Sequence, residues 1–216
     1  KFLFDLSLDS KNLKGIELGL TLSNQIKIET LSEHEIVLFH YYIANGWTTK
    51  RILRAETPKD SWDFQMEEIK KEIYHLRKAI SSVGFDSIGP LRQCQVYTNF
   101  GNALNFIGRF SEAQLAWTKA LEISPDSSMT LANKARGLFH YGKYLYDEMH
   151  TKIFIFYSFD YCKKAIKNIE SVFLSSKEQI IEFYKSLEKM IPYEIQNYLP
   201  DLNEYSLGED IFLREY

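Results

Sequence analysis

CQVYTNFGNALNFIGRFSEAQLAWTKALEISP, residues 94–125, reads as two helices folded back on one another. Gly101 leaves room for a neighbouring helix to approach closely. Ala113 and Ala120 stand seven apart on the inner face of the second helix, and Pro125 stops that helix. Tyr97, Phe100, Gly108, Phe110 and Trp117 occupy the remaining positions that a repeating helix hairpin needs. A hairpin of this kind cannot bury its apolar face alone and has to stack on others like it. The expected fold is therefore all-α, a solenoid of helical hairpins whose concave face binds something. Binding stands ahead of catalysis as the first hypothesis.

Composition agrees with that reading. With 216 residues, 45% of them apolar and 15% aromatic, the chain has enough to bury as one elongated domain or two small ones. The net charge of −3 is uneven: Glu182 to Tyr216 carries −5, leaving about +2 for the rest. Neither part is basic enough for a dedicated nucleic-acid binder. Cys94 and Cys162 lack paired spacing and fall at apolar positions, so they read as reduced packing thiols in a cytoplasmic protein. No run of about 18 apolar residues offers a membrane span, and no leader pattern opens the chain. The start at Lys1, without an initiator Met, is consistent with an excerpt of a longer protein.

Three segments are expected: N-terminal helical hairpins over 1–89, repeat hairpins over 90–175, and a C-terminal helix with a junction over 176–216. Ser10, after Asp9, is placed as the N-cap of a helix carrying Leu13, Ile16, Leu18, Leu20, Leu22 and Ile26. Ser32 caps a second run, apolar nearly all round from Ile36 to Ile43; Gly46 sits where such a helix usually ends, although the pattern continues through Ile52 and Leu53 until Pro58, Asp60 and Ser61 break it. Trp62, Met66, Ile69, Ile73, Leu76, Ile80 and Val83 then alternate in steps of four and three, with Glu67, Glu68, Lys70, Lys71 and Glu72 on the outer face. That stripe would serve either self-association through a coiled-coil seam or, as preferred here, stacking of one solenoid helix on its neighbour. Ser175-Ser176 open a last helix with Ile180, Ile181, Tyr184, Leu187 and Ile191, stopped by Pro192.

The hairpin at 94–125 predicts another from Ser128. Asn99 pairs with Asn133, Asn102 with Arg136, Gly108 with Gly142 and Phe110 with Tyr144, all 34 apart. Asp147 then stands where a small residue is needed, and the small pair returns 11 residues late as Ser158 and Ala165. Eleven residues make about three helical turns, so both helices can lengthen with their buried faces in phase.

The pattern at 94–165, a third of the chain, resembles the tetratricopeptide repeat. The resemblance implies a solenoid of degenerate, elongated repeats in which the first helix of each hairpin lines a concave groove for a protein or peptide. Its groove positions here are Thr98, Asn102, Asn105, Asn133, Arg136 and His140, with Asn99 near the same surface. Asparagine amides suit an extended peptide because they offer two donors and an acceptor. Asn102 and Asn133 match the two asparagines of a carboxylate clamp found in some chaperone-binding members, but Thr98 stands where that clamp needs lysine. On this reading Asn102, Asn133 and Arg136 serve a partner and leave stability nearly untouched.

A second resemblance rests on LFHYYIANGW at 38–47, LRQCQVYTNFGNALNFIGRFSEAQLAW at 91–117 and ANKARGLFHYGKYLYDEMH at 132–150. These are similar to bacterial proteins in which tetratricopeptide repeats lead into a HEPN-type helical domain. That resemblance implies the regulatory arm of an RNA-cleaving defence or toxin protein. Its ribonuclease motif, Arg then about four to six residues then His, is not found here; Arg136 and His140 come nearest with three between them. Any such centre, and any contact with RNA, is expected after Tyr216. No catalytic residue, metal or cofactor is assigned to this chain, since His34, His40, His75, His140 and His150 lack ligand spacing and no phosphate loop or nucleophile elbow occurs.

Overall fold

The computed structural model describes residues 12–54, 66–169 and 174–191, and among them every regular element is a helix, with no strand. In chain order these are α1 (Leu13–Ser23), α2 (Glu33–Arg54), α3 (Glu67–Ile80), α4 (Pro90–Phe106), α5 (Phe110–Ile123), α6 (Ser128–Lys143), α7 (Glu148–Lys167) and α8 (Leu174–Glu188), with 3-10 turns at Ile28–Thr30 and Val83–Ile88. Packing divides the chain into two compact units, Lys1–Ser124 and Pro125–Tyr216, so the boundary falls inside the segment read as 90–175. In the first unit α2 pairs with α3 and α4 with α5, while α1 packs on α2 and α3 on α4. In the second, α6 pairs with α7 and α8 lies on α7.

Local chemistry places the helix ends. Ser32 and Glu35 form a capping box: the Ser32 N–H and hydroxyl donate to Glu35 Oε2 at 2.9 and 2.7 Å, and the Glu35 N–H donates to Ser32 Oγ at 3.3 Å. These bonds hold the Glu35 carboxyl below its usual range. The helix they start runs through Gly46 to Arg54, as the pattern continuing to Ile52 and Leu53 indicated. A single interior glycine costs only about 1 kcal/mol, and contacts made by the turns beyond it outweigh that. The predicted cap at Ser10 lies outside the described residues; α1 is capped by Asn12, whose Oδ1 accepts from the Gly15 N–H at 3.1 Å. Of the apolar residues read into α1, Ile16 and Leu20 are buried, whereas Leu18, Leu22 and Ile26 are exposed.

The α3 stripe holds through Ile69 and Leu76, both in the core of the first unit, and breaks at Val83, which is exposed where the chain enters a 3-10 turn. Trp62 lies outside the described residues. One expectation is corrected: Glu68 and Glu72 are not on an outer face but buried at 5% and 1% exposure. Packing on both α2 and α4 leaves α3 a narrow outer face, and Arg51 and Arg54 of α2 reach across to the two carboxylates.

The hairpin of α4 and α5 matches its reading closely. Gly108 has φ +80°, its N–H bonds to Asn105 O at 3.1 Å, and the Arg109 N–H bonds to Leu104 O at 3.0 Å. This pair of bonds is a Schellman turn, which needs the left-handed conformation glycine adopts without strain. A Cβ on Gly101 would stand 2.5 Å from Trp117 Nε1, so the missing side chain is what lets α5 seat its indole against α4. Ala113 and Ala120 are fully buried.

In the second hairpin Ser158 and Ala165 are likewise fully buried, and Ser158 Oγ donates to Ala135 O at 2.7 Å. The inserted residues lengthen both helices. Phe106, the end of α4, has His140 as its 34-residue counterpart, but α6 continues to Lys143; Phe110, the start of α5, has Ile155 as its 45-residue counterpart, but α7 begins at Glu148. Asp147, the residue out of place in the repeat, is the N-cap of the lengthened α7 and accepts from the Met149 and His150 N–H groups. Gly142 does not repeat the turn of Gly108. It stays inside α6, where a Cβ would meet Phe154 Cβ at 2.9 Å, so its role is close packing. Cys94 and Cys162 are buried and not joined in a disulfide, and burial pushes the Cys162 thiol up to about 12.

Candidate functional site

The α4 residues assigned to a groove are turned into helix packing. Thr98 is a correction: it is buried at 6% exposure, its hydroxyl donates to Cys94 O at 2.8 Å, and its carbonyl accepts from Trp117 Nε1 at 3.2 Å. Asn102 Oδ1 shares that indole donor at 3.1 Å, and Asn99 Nδ2 donates across to Asn45 Oδ1 on α2 at 2.9 Å. Asn105 keeps its Oδ1 buried without a partner. The physical reason is coverage. α4 is flanked by other helices, so Asn102 and the Thr98 carbonyl meet Trp117 of α5 and Asn99 meets Asn45 of α2, ties between helices that Asn105 does not make.

On α6 the outcome differs. Asn133, Arg136 and His140 follow one another at helical spacing along a partly exposed face. The Arg136 guanidinium lies 5.6 Å over the Phe183 ring of α8, and Phe183 meets Phe139 edge-on at 5.5 Å. Lys143 Nζ stands 5.2 Å over Phe139. Two basic side chains thus flank an aromatic pair, and cation–π contact with rings leaves their hydrogen-bond donors free. Among the described residues neither Arg136 nor Lys143 has an ion pair, and the Asn133 amide has no hydrogen bond. Partial burial, then Lys143 and Arg136, holds the His140 imidazole below its usual range. A neutral ring there offers one donor and one acceptor. Such a face can take a carboxylate or phosphate in the Arg136 fork while the amide and imidazole satisfy a peptide backbone.

The sequence reading named three of these residues and missed Phe139, Lys143 and Phe183. Aromatics in an apolar-rich helix carry no mark of which face they cover, and Phe183 joins only through the packing of α8.

Two partly buried polar clusters of the first unit were also missed. One joins Arg51 to Glu72 and Arg54 to Glu68, the latter at 2.6 Å. The other is a histidine pair, His40 Nδ1 and His75 Nδ1, 2.9 Å apart. One nitrogen must donate and the other accept, so the pair cannot carry a proton on both. Burial lowers both groups; His75, with His40 and Lys71 adding to burial, falls to about 4, and Lys78 adds to the lowering of His40. Because the unfolded chain binds these protons near the ordinary value of 6.5, the folded state loses stability as pH falls from about 6.5 toward 4. Chemical unfolding at pH 7 and pH 5 should give a lower midpoint at pH 5, and His75→Gln should shrink the difference. Equal pH dependence in that variant would remove the pair as its cause.

Among the described residues no group of three or more His, Cys, Asp and Glu side chains could hold a metal ion, and no helix is long and apolar enough to cross a membrane. Compared with known proteins, the chain matches no family model, no curated protein and no solved structure.

Proposed function

We propose that this chain is a recognition module of the tetratricopeptide type, a helical-hairpin solenoid that binds a protein or peptide partner, with the α6 face as its contact surface. One observation carries the reading: Arg136 is held in place by the Phe183 ring yet has no carboxylate partner among the described residues, beside an uncommitted Asn133 amide. Packing orients the guanidinium before any ligand arrives, which lowers the ordering entropy of binding. On α4, by contrast, Asn99 and Asn102 already bond between helices and Thr98 and the Asn105 Oδ1 atom are buried, so the binding assignment narrows from seven residues to Asn133, Arg136 and His140.

The test is selection from a displayed library of random peptides with free C-termini, followed by affinity measurement. Enriched sequences should carry acidic side chains or a recognised terminal carboxylate. Replacing Asn133 and Arg136 together by alanine should weaken them by about 1.5–3 kcal/mol, roughly tenfold to 150-fold, the worth of hydrogen bonds to charged groups. Thermal stability should fall by no more than about 1 kcal/mol, since among the described residues neither side chain has a hydrogen bond or ion pair and only the Arg136 contact with the Phe183 ring is lost. No enrichment, or equal affinity in the double variant, would reject this face as the site.

A further inference from the structure

The α6 face is positive and, among the described residues, Arg136 and Lys143 have no ion pair, and the strongest negative charge in the sequence follows directly on the helix beside it. Residues 192–216 carry Glu194, Asp201, Glu204, Glu209, Asp210 and Glu215 against a single cation, Arg214, with aromatic residues such as Tyr205 and Phe212 interspersed. Where that segment leaves the second unit follows from three contacts. The Cys162 thiol meets Ile180 O at 3.9 Å, Phe159 stacks on Tyr184 at 5.2 Å, and Phe139 meets Phe183 at 5.5 Å. Rising numbers on α8 meet falling numbers on α7, so α8 runs antiparallel to α7. In turn α7 is antiparallel to α6, as the pairs Ser158–Ala135 and Thr151–Gly142 require. The end of α8 therefore lies toward the end of α6 that holds His140 and Lys143. A chain of this length reaches about 80 Å when extended, so distance sets no limit.

We propose that the acidic segment 192–216 docks in cis on the Arg136, His140 and Lys143 face of α6, its carboxylates pairing with Arg136 and Lys143. Charge complementarity selects this occupant. An attached segment also binds at an effective concentration near the millimolar range, so individually weak, exposed ion pairs suffice to hold it. Docked there, it covers the surface assigned above to a partner and competes with it. That competition rests on the peptide-binding reading, whereas the docking itself does not.

Hydrogen exchange of the full chain, without any added peptide, tests it. In the parent protein 192–216 should exchange roughly threefold to tenfold more slowly than an unprotected chain. That protection should vanish in Arg136→Ala/Lys143→Ala, in Asp201→Asn/Glu204→Gln/Glu209→Gln/Asp210→Asn, and in about 0.5 M salt, where exposed charges are screened beyond a few ångströms. Unprotected exchange in the parent, or protection unchanged in both variants, overturns the proposal. Protection that rises with protein concentration points to docking between copies and overturns the cis contact. Peptide selection repeated on the Asp201→Asn/Glu204→Gln/Glu209→Gln/Asp210→Asn variant, whose α6 face is uncovered, keeps the two readings apart: tail protection as expected in the parent alongside no enrichment on that variant rejects the partner reading and leaves this one standing.

Discussion

Replacing Arg51 by methionine should lower the unfolding free energy by about 3–5 kcal/mol, because it strands a carboxylate inside the first unit. Glu72 is 1% exposed, and Arg51 reaches its Oε2 from two nitrogens, at 3.2 and 3.0 Å. The same guanidinium lies 4.1 Å over the Phe106 ring, so it joins α2, α3 and α4 at one point. Burial pushes the Glu72 carboxyl up against the opposing pull of Arg51 and the Thr48 hydroxyl. Without Arg51 the folded-state value rises further above the unfolded one. The variant then binds a proton on folding, and its deficit grows as pH rises above about 4.5. Urea unfolding should find the stability deficit of Arg51→Met relative to the parent larger at pH 8 than at pH 5, which cancels the histidine contribution common to both proteins. The double variant Arg51→Met/Glu72→Leu should recover most of the loss, since well-packed apolar residues commonly match a buried ion pair. A single variant within 1 kcal/mol of the parent would mean the pair is hydrated rather than buried.

Trp117→Ala should cost a similar amount, about 3–5 kcal/mol, the usual range for deleting a buried indole. The side chain is 1% exposed and lies against Gly101, and its N–H serves both Thr98 O and Asn102 Oδ1. Deletion therefore leaves a cavity and two acceptors short of a donor. Gly101→Ala alone should also destabilise, by about 1–3 kcal/mol, because the new methyl meets the indole ring. In combination the two should lose less than their sum, as the methyl enters the space the indole vacates. Thermal or denaturant unfolding of the four proteins completes the cycle. Strict additivity would show that Gly101 and Trp117 do not pack on one another.

Much of the fold was legible because it is written in local rules. Gly108 is the glycine a helix needs to end in a left-handed turn. Ser32 and Glu35 satisfy each other's backbone donors, and the small residues of α5 and α7 mark faces where helices touch. These signals involve residues a few positions apart, where helical spacing alone brings them together. Even the eleven inserted residues could be read, since three turns preserve the phase of a buried face.

The candidate site was legible only in part. Asn99 and Asn102 share the repeat register with Asn133 and Arg136, and no property of an asparagine in sequence distinguishes one that bridges helices from one that faces water. What separates them is the neighbour. Trp117 and Asn45 stand ready to bond the α4 amides, while α8 offers α6 only the rings of Phe183 and its surroundings. Charge was misread for the same reason: Glu68 and Glu72 look like solvated residues until Arg51 and Arg54 are seen opposite them. By itself, then, the sequence determined an all-α chain, the hairpin at 94–125 and the lengthened one after it, because helix ends and buried stripes depend on near neighbours. Which polar groups are inside the packing and which remain free to bind was decided by the tertiary structure, because hydrogen bonds and ion pairs depend on residues that only folding brings within about 3 Å.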